Sequence, residues 1–164
     1  MASGCAPLAP VNIETPFDAS QHRRYAASGS GTITGSLFSK TVGGDVKIGA
    51  GEEVALIPDT PFFREAVAKG LAFSNRQSVV RNTRGSELTD EEKELGQKCL
   101  RIAMGNGQGL FRFSNLPAGK YIILGSVYWQ SPGDGGYLRS NRGLGVRYVT
   151  LTRGGTVDVV LYAR

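Results

Sequence analysis

The sequence predicts an all-β protein, a seven-stranded antiparallel β-sandwich with a partly helical insertion. Three observations predict it. Apolar and polar residues alternate in several short runs, the period of a half-buried strand. The 23 glycines among 164 residues fall between those runs without a repeat, as turn punctuation does. The block "GLFRFSNLPAGKYIIL" (Gly109–Leu124) joins two alternating runs through Leu-Pro-Ala-Gly. In it Phe111 and Phe113 share one face of a strand, and Tyr121 and Ile123 share one face of the next. Pro117 fixes φ at the corner, and Gly119 offers the positive φ of a sharp turn. A chain of this length suits one domain whose core needs no disulfide or metal.

Residues 1–29 carry Ala, Pro, Ser and charge with little periodicity, which predicts a flexible tail ahead of a domain over 30–164. "GTITGSLFS" (Gly31–Ser39) is the first strand and "EEVALIPDTP" (Glu52–Pro61) the second, its ladder ended by Pro58. The insertion spans 59–98. Its first helix opens with Thr60 as N-cap and Pro61 at the first helical position, and stops at Gly70. Residues 74–86 are polar and Arg-rich. The second helix opens with the capping-box spacing Thr89/Glu92. The acidic island Glu87, Asp90, Glu91, Glu92 and Glu94 belongs to that helix start and predicts no metal site. "KCLRIAMG" leads into the Gly109 block, with Asn106-Gly107 read as a hairpin turn. The strand after the corner runs on through "GSVYW", and Gln130–Gly145 reads as a long glycine-rich loop. "VRYVTLT" and "TVDVVLYA" read as a closing pair, with Val157, Val159 and Leu161 inward and Asp158 and Tyr162 outward.

The net charge is +5, and eight arginines and lysines after residue 100 meet only two carboxylates. No nucleic-acid motif accompanies them, so a nucleic-acid partner is not expected. No apolar run reaches the ~20 residues of a spanning helix. Cys5 and Cys99 form neither a disulfide framework nor a zinc spacing, and Cys99 reads as a small buried hydrophobe. The single histidine, His22, falls in the expected tail, so no catalytic set assembles around it. No catalytic residue, metal or cofactor is predicted. Tyr128, Trp129 and Tyr137 flank the long loop, with Arg139 and Arg142 nearby. Aromatic faces and guanidinium forks suit a carbohydrate. Trp129 has a second reading, favoured by its place at a strand end, in which it caps the core. "GNGQG" (Gly105–Gly109) precedes a strand, so it reads as a turn and not a phosphate cradle.

The block Gly109-x-Phe111-x-Phe113-x-x-Leu116-Pro117-x-Gly119-x-Tyr121, with "GTITGSLF", "VALIP" and "TVDVVLY", resembles the carboxypeptidase regulatory-like domain. That domain is a module of the transthyretin-like (prealbumin-like) β-sandwich superfamily. The resemblance implies no catalysis: such modules support, adhere or recognise. It implies a non-enzymatic bacterial envelope protein with a protein partner, and carbohydrate binding is the alternative. A hydrolase of the wider superfamily ends Tyr-Arg-Gly-Ser, whereas this chain ends Leu161-Tyr162-Ala163-Arg164. Ala2-Ser3-Gly4-Cys5 also resembles the processing site of a bacterial lipoprotein, which makes Cys5 a candidate lipidation site and the tail a tether from the membrane; otherwise Cys5 is an ordinary cysteine.

Overall fold

The computed structural model describes residues 12–69 and 88–164. Cys5, Gly70 and the polar stretch 74–86 lie outside these residues. The order of elements is α1 (Ala19–Ala26), β1 (Gly31–Lys40), β2 (Val46–Ile48), β3 (Glu53–Pro58), α2 (Pro61–Ala68), α3 (Asp90–Cys99), β4 (Arg101–Met104), β5 (Leu110–Leu116), β6 (Gly119–Pro132), β7 (Leu138–Leu151) and β8 (Thr156–Ala163). Two four-stranded sheets make the sandwich. In the first, β8 pairs with β1 from Thr32 to Ser39, and β2 and β5 share the other edge of β1. The second runs β4-β3-β6-β7. Alternation decides what is inside. Ile33, Leu37, Val159 and Leu161 of the first sheet are buried, as are Val54, Leu56, Ile123 and Val127 of the second. A Cβ on Gly125 would lie 2.9 Å from the Leu161 side chain, so the sheets meet there with no room to spare.

The all-β sandwich is the predicted one, with two differences of detail. Among the described residues there are eight strands, and the β1–β8 pair is parallel. The glycine turns cross between sheets where hairpins were expected. Asn106-Gly107 links β4, paired to β3, with β5, paired to β1; the Asn106 side-chain carbonyl accepts the N–H groups of Gln108 (2.9 Å) and Leu110 (3.0 Å). Arg153-Gly154-Gly155 likewise carries the chain from β7 to the far sheet, so the "closing pair" lies across the sandwich. At the Leu-Pro-Ala-Gly corner the positive φ falls on Asn115 (57°), not on Gly119. Gly119 is needed for a different reason: a Cβ there would lie 2.6 Å from the ring of Tyr25.

That ring comes from the segment expected to be a tail. Residues 12–29 instead pack on the domain, burying Ile13, Phe17, His22 and Tyr25. Their apolar anchors are spaced four and more residues apart in polar sequence, so no period shows. Asp18 caps α1 by accepting the Ser20 N–H (2.9 Å). The Glu65 carboxylate of α2 accepts the N–H groups of Glu14 and Thr15, both at 2.7 Å, and pairs with Lys69 at 2.6 Å. Lys69, helped by those hydrogen bonds, holds the Glu65 carboxyl at a pKa of about 2. The insertion helices start as predicted. Thr60 caps α2 with Pro61 first, and α3 carries the full Thr89/Glu92 capping box. The Arg64 guanidinium lies 5.6 Å from the Tyr148 ring centroid. With the burial of Ile57 and Ile122 in the same row, this sets α2 over the outer face of the second sheet.

Candidate functional site on the β6–β7 arm

β6 and β7 stay paired from Gly119↔Leu151 to Pro132↔Leu138, whereas β3 meets β6 only from Tyr121 to Gly125. Beyond Gly125 the pair leaves the sheet as a two-stranded arm, about 24 Å long at ~3.4 Å per residue. The segment Gln130–Gly145, expected as a loop, is therefore mostly strand. Toward its base one face packs on the core through Val127 and Trp129, while the exposed face carries Tyr128 and Leu144, so apolar residues stand on both faces and no apolar–polar alternation shows. Its glycines answer to packing at the base: a Cβ on Gly143 would meet Ala163 at 3.0 Å, and one on Gly145 would meet Leu161 at 3.0 Å. Leu144 and Arg164 exchange backbone hydrogen bonds there (2.9 and 3.3 Å).

The five residues picked from sequence divide over both faces of the arm. Tyr128 and Arg142 are direct cross-strand partners on the outer face. Arg142 donates two hydrogen bonds to the Ser126 hydroxyl (3.0 and 2.9 Å), and its guanidinium stands 5.6 Å from the Tyr128 ring centroid. Trp129 points to the other face with Val127 and is half-buried against the core. Its capping reading is the one that fits. Arg139 shares that face, opposite Ser131. Tyr137 stands at the tip, 80% exposed.

The tip is the concave part. Gly133 donates to the Tyr137 carbonyl (2.7 Å), and Gly135 and Gly136 take φ of 77° and 82°, where a side chain would be strained. The turn encloses an open cleft lined by Gly133, Asp134, Tyr137, Leu138 and Arg139. No ion pair joins Asp134 to Arg139, so an acceptor and a planar donor are both available beside an exposed ring. Sequence reading missed Asp134 because Pro-Gly-Asp-Gly-Gly reads as turn chemistry. The available signal was its isolation, as the single acidic residue between Glu94 and Asp158.

Among the described residues, the histidine and the cysteine are enclosed. His22 stacks on Phe17 (centroids 4.1 Å apart) and meets Phe62 and Phe63 edge-on. Its Nδ1 lies 2.6 Å from the Asp18 carbonyl and its Nε2 3.0 Å from the Thr60 hydroxyl. A carbonyl only accepts, so Nδ1 carries the proton and Nε2 accepts from Thr60. Cys99 donates to the His22 carbonyl (3.3 Å), and burial pushes its thiol up to about 12. Among the described residues, no three of His, Cys, Asp and Glu come together as a metal cluster.

No protein-family model matches this sequence, and no curated protein does. Solved structures do. The chain is similar to a candidate carbohydrate-binding protein of Pseudomonas aeruginosa, with a TM-score of 0.66 and 25% identity, over 90% of this chain and 98% of that one. It is also similar to the major pilin subunit of Bacillus cereus (TM-score 0.45, 14% identity, 83% of this chain and 30% of that one). A minor pilin of Streptococcus agalactiae follows (TM-score 0.39, 14% identity, 84% and 45%). The chain is thus a β-sandwich.

Proposed function

We propose that this chain is a non-enzymatic binding module of the bacterial cell envelope, and that the tip of the β6–β7 arm is its carbohydrate site. The cleft carries the reading: Tyr137 supplies a stacking face, Asp134 an acceptor for sugar hydroxyls and Arg139 a forked donor. Likeness to the Pseudomonas aeruginosa protein supports the same ligand class. The resemblance to carboxypeptidase regulatory-like domains supports a module without catalysis that works beside a protein partner. A glycan array is the test. Binding to a defined subset is expected, falling about tenfold or more in Tyr137→Ala and Asp134→Asn, and holding in Trp129→Ala once folding is verified. Tyr128→Ala reports whether the ligand continues down the outer face past Arg142. An array with no binding, or binding indifferent to the tip variants, rejects the site.

The envelope reading rests on Ala2-Ser3-Gly4-Cys5 as a lipidation site. The full-length precursor is expected to incorporate palmitate and enter the detergent phase, and Cys5→Ser to abolish both. A free Cys5 thiol on a fully aqueous product rejects the anchor.

A further inference from the structure

The outer face of the first sheet is unlike the solvated face a sandwich normally presents. Strand register fixes its rows. Phe38 of β1 lies between Ile48 of β2 and Tyr162 of β8, with the Phe38 and Tyr162 rings 5.3 Å apart. In the next row Ser36 lies between Leu110 of β5 and Val160 of β8. Ile48, Leu110 and Val160 are each 45–49% exposed, so two adjacent rows of apolar side chains meet solvent. The third row is charged: Thr34 lies between Arg112 and Asp158. Thr34 donates to Asp158 (2.7 Å), and Arg112 donates to Ser114 (3.0 Å). Arg112 and Asp158 are two interstrand spacings apart, about 10 Å, and no ion pair joins either to an opposite charge among the described residues.

We propose that this face is a homodimer interface, formed about a twofold axis running along β1. Such an axis exchanges left and right across β1 while keeping each row in place. It sets Arg112 of each copy against Asp158 of the other, twice, and lays each copy's apolar rows on the same rows of its partner. A twofold running across the strands at the charged row would set Arg112 on Arg112 and Asp158 on Asp158, which like charges oppose. The charge pattern therefore selects one axis and names a second copy as the occupant. The face spans three strands by about nine residues, about 400 Å² of sheet. That is about half the ~800 Å² per partner of a stable complex, which places the association among weak, transient ones.

Sedimentation velocity from about 5 µM to 1 mM tests this. The protein is expected to shift from monomer to dimer across that range. Arg112→Asp and Asp158→Arg should each weaken the dimer at least tenfold, and the double reversal should restore it to within about threefold, with circular dichroism verifying each fold. Leu110→Lys should also abolish it. A protein that stays monomeric to 1 mM overturns the proposal. So does a dimer indifferent to the single reversals, or one that the double reversal does not restore; either places another surface or another occupant on the face.

Discussion

His22 shows how much one side chain can hold. It is the chain's single histidine, 1% exposed, and it joins α1 to the first turn of α2 through Thr60. Burial lowers its pKa, because the charged ring would lose its hydration among Phe17, Phe62 and Phe63. The neighbouring Asp18 carbonyl and carboxylate pull weakly the other way. The unfolded chain takes up this proton near the ordinary value of about 6.5, and the folded chain only at lower pH. Between those values the unfolded state binds more protons, so the stabilisation is complete above about 6.5. It is lost as pH falls through the window, by up to about 1.4 kcal/mol per pH unit. Urea unfolding at pH 7.5, 6.5 and 5.5 should show that decline in the wild type and a flatter profile in His22→Gln. A wild-type profile as flat as the variant's would mean that the imidazole is solvated. Gly119 teaches a separate lesson. Its place in the corner suggested backbone freedom, but the requirement is the space taken by Tyr25, eliminated as a signal by the ninety or so residues between them.

Among the elements, those with a local cause were readable. β1 and β8 show period two, α2 and α3 announce their caps, and the Pro117 corner joins two alternating runs. Two elements were not readable. The arm continues β6 and β7 past the end of the β3 ladder with apolar residues on its packed face (Val127, Trp129) and on its exposed face (Tyr128, Leu144), so no alternation marked its sequence. The aromatics and arginines that the sequence singles out do lie on this arm, but their division between its faces was not legible. The N-terminal segment was hidden because its anchors dock one at a time onto other elements: Tyr25 on Tyr121 (5.2 Å between centroids), Phe17 on Phe62 (5.2 Å), and the Glu14 and Thr15 backbone on Glu65. Burying Ile13, Phe17 and Tyr25 contributes about 2 kcal/mol each as an upper estimate, a large share of an ordinary domain's 5–15 kcal/mol. Deleting residues 1–28 should therefore unfold the domain or lower its melting temperature by more than about 10 °C. A truncated protein that melts with the full chain would restore the flexible-tail reading.

The molecule as assembled depends on pairings that no short window of sequence encodes. β1 meets β5 some eighty residues later and β8 some hundred and twenty residues later, and both sheets exchange chain through glycine turns. Such non-local ladders make sandwich folding slow, since closure entropy precedes the contacts that offset it. They also explain why fold class was legible while strand order was not: alternation reports that a strand is half-buried, but not which neighbour it has. The parallel β1–β8 ladder has a mechanical meaning as well. Tension applied at the start of β1 and the end of β8 draws the two strands past each other lengthwise. All eight registered positions from Thr32↔Thr156 to Ser39↔Ala163 then bear load together, in shear, where a pair pulled from one shared end would part rung by rung.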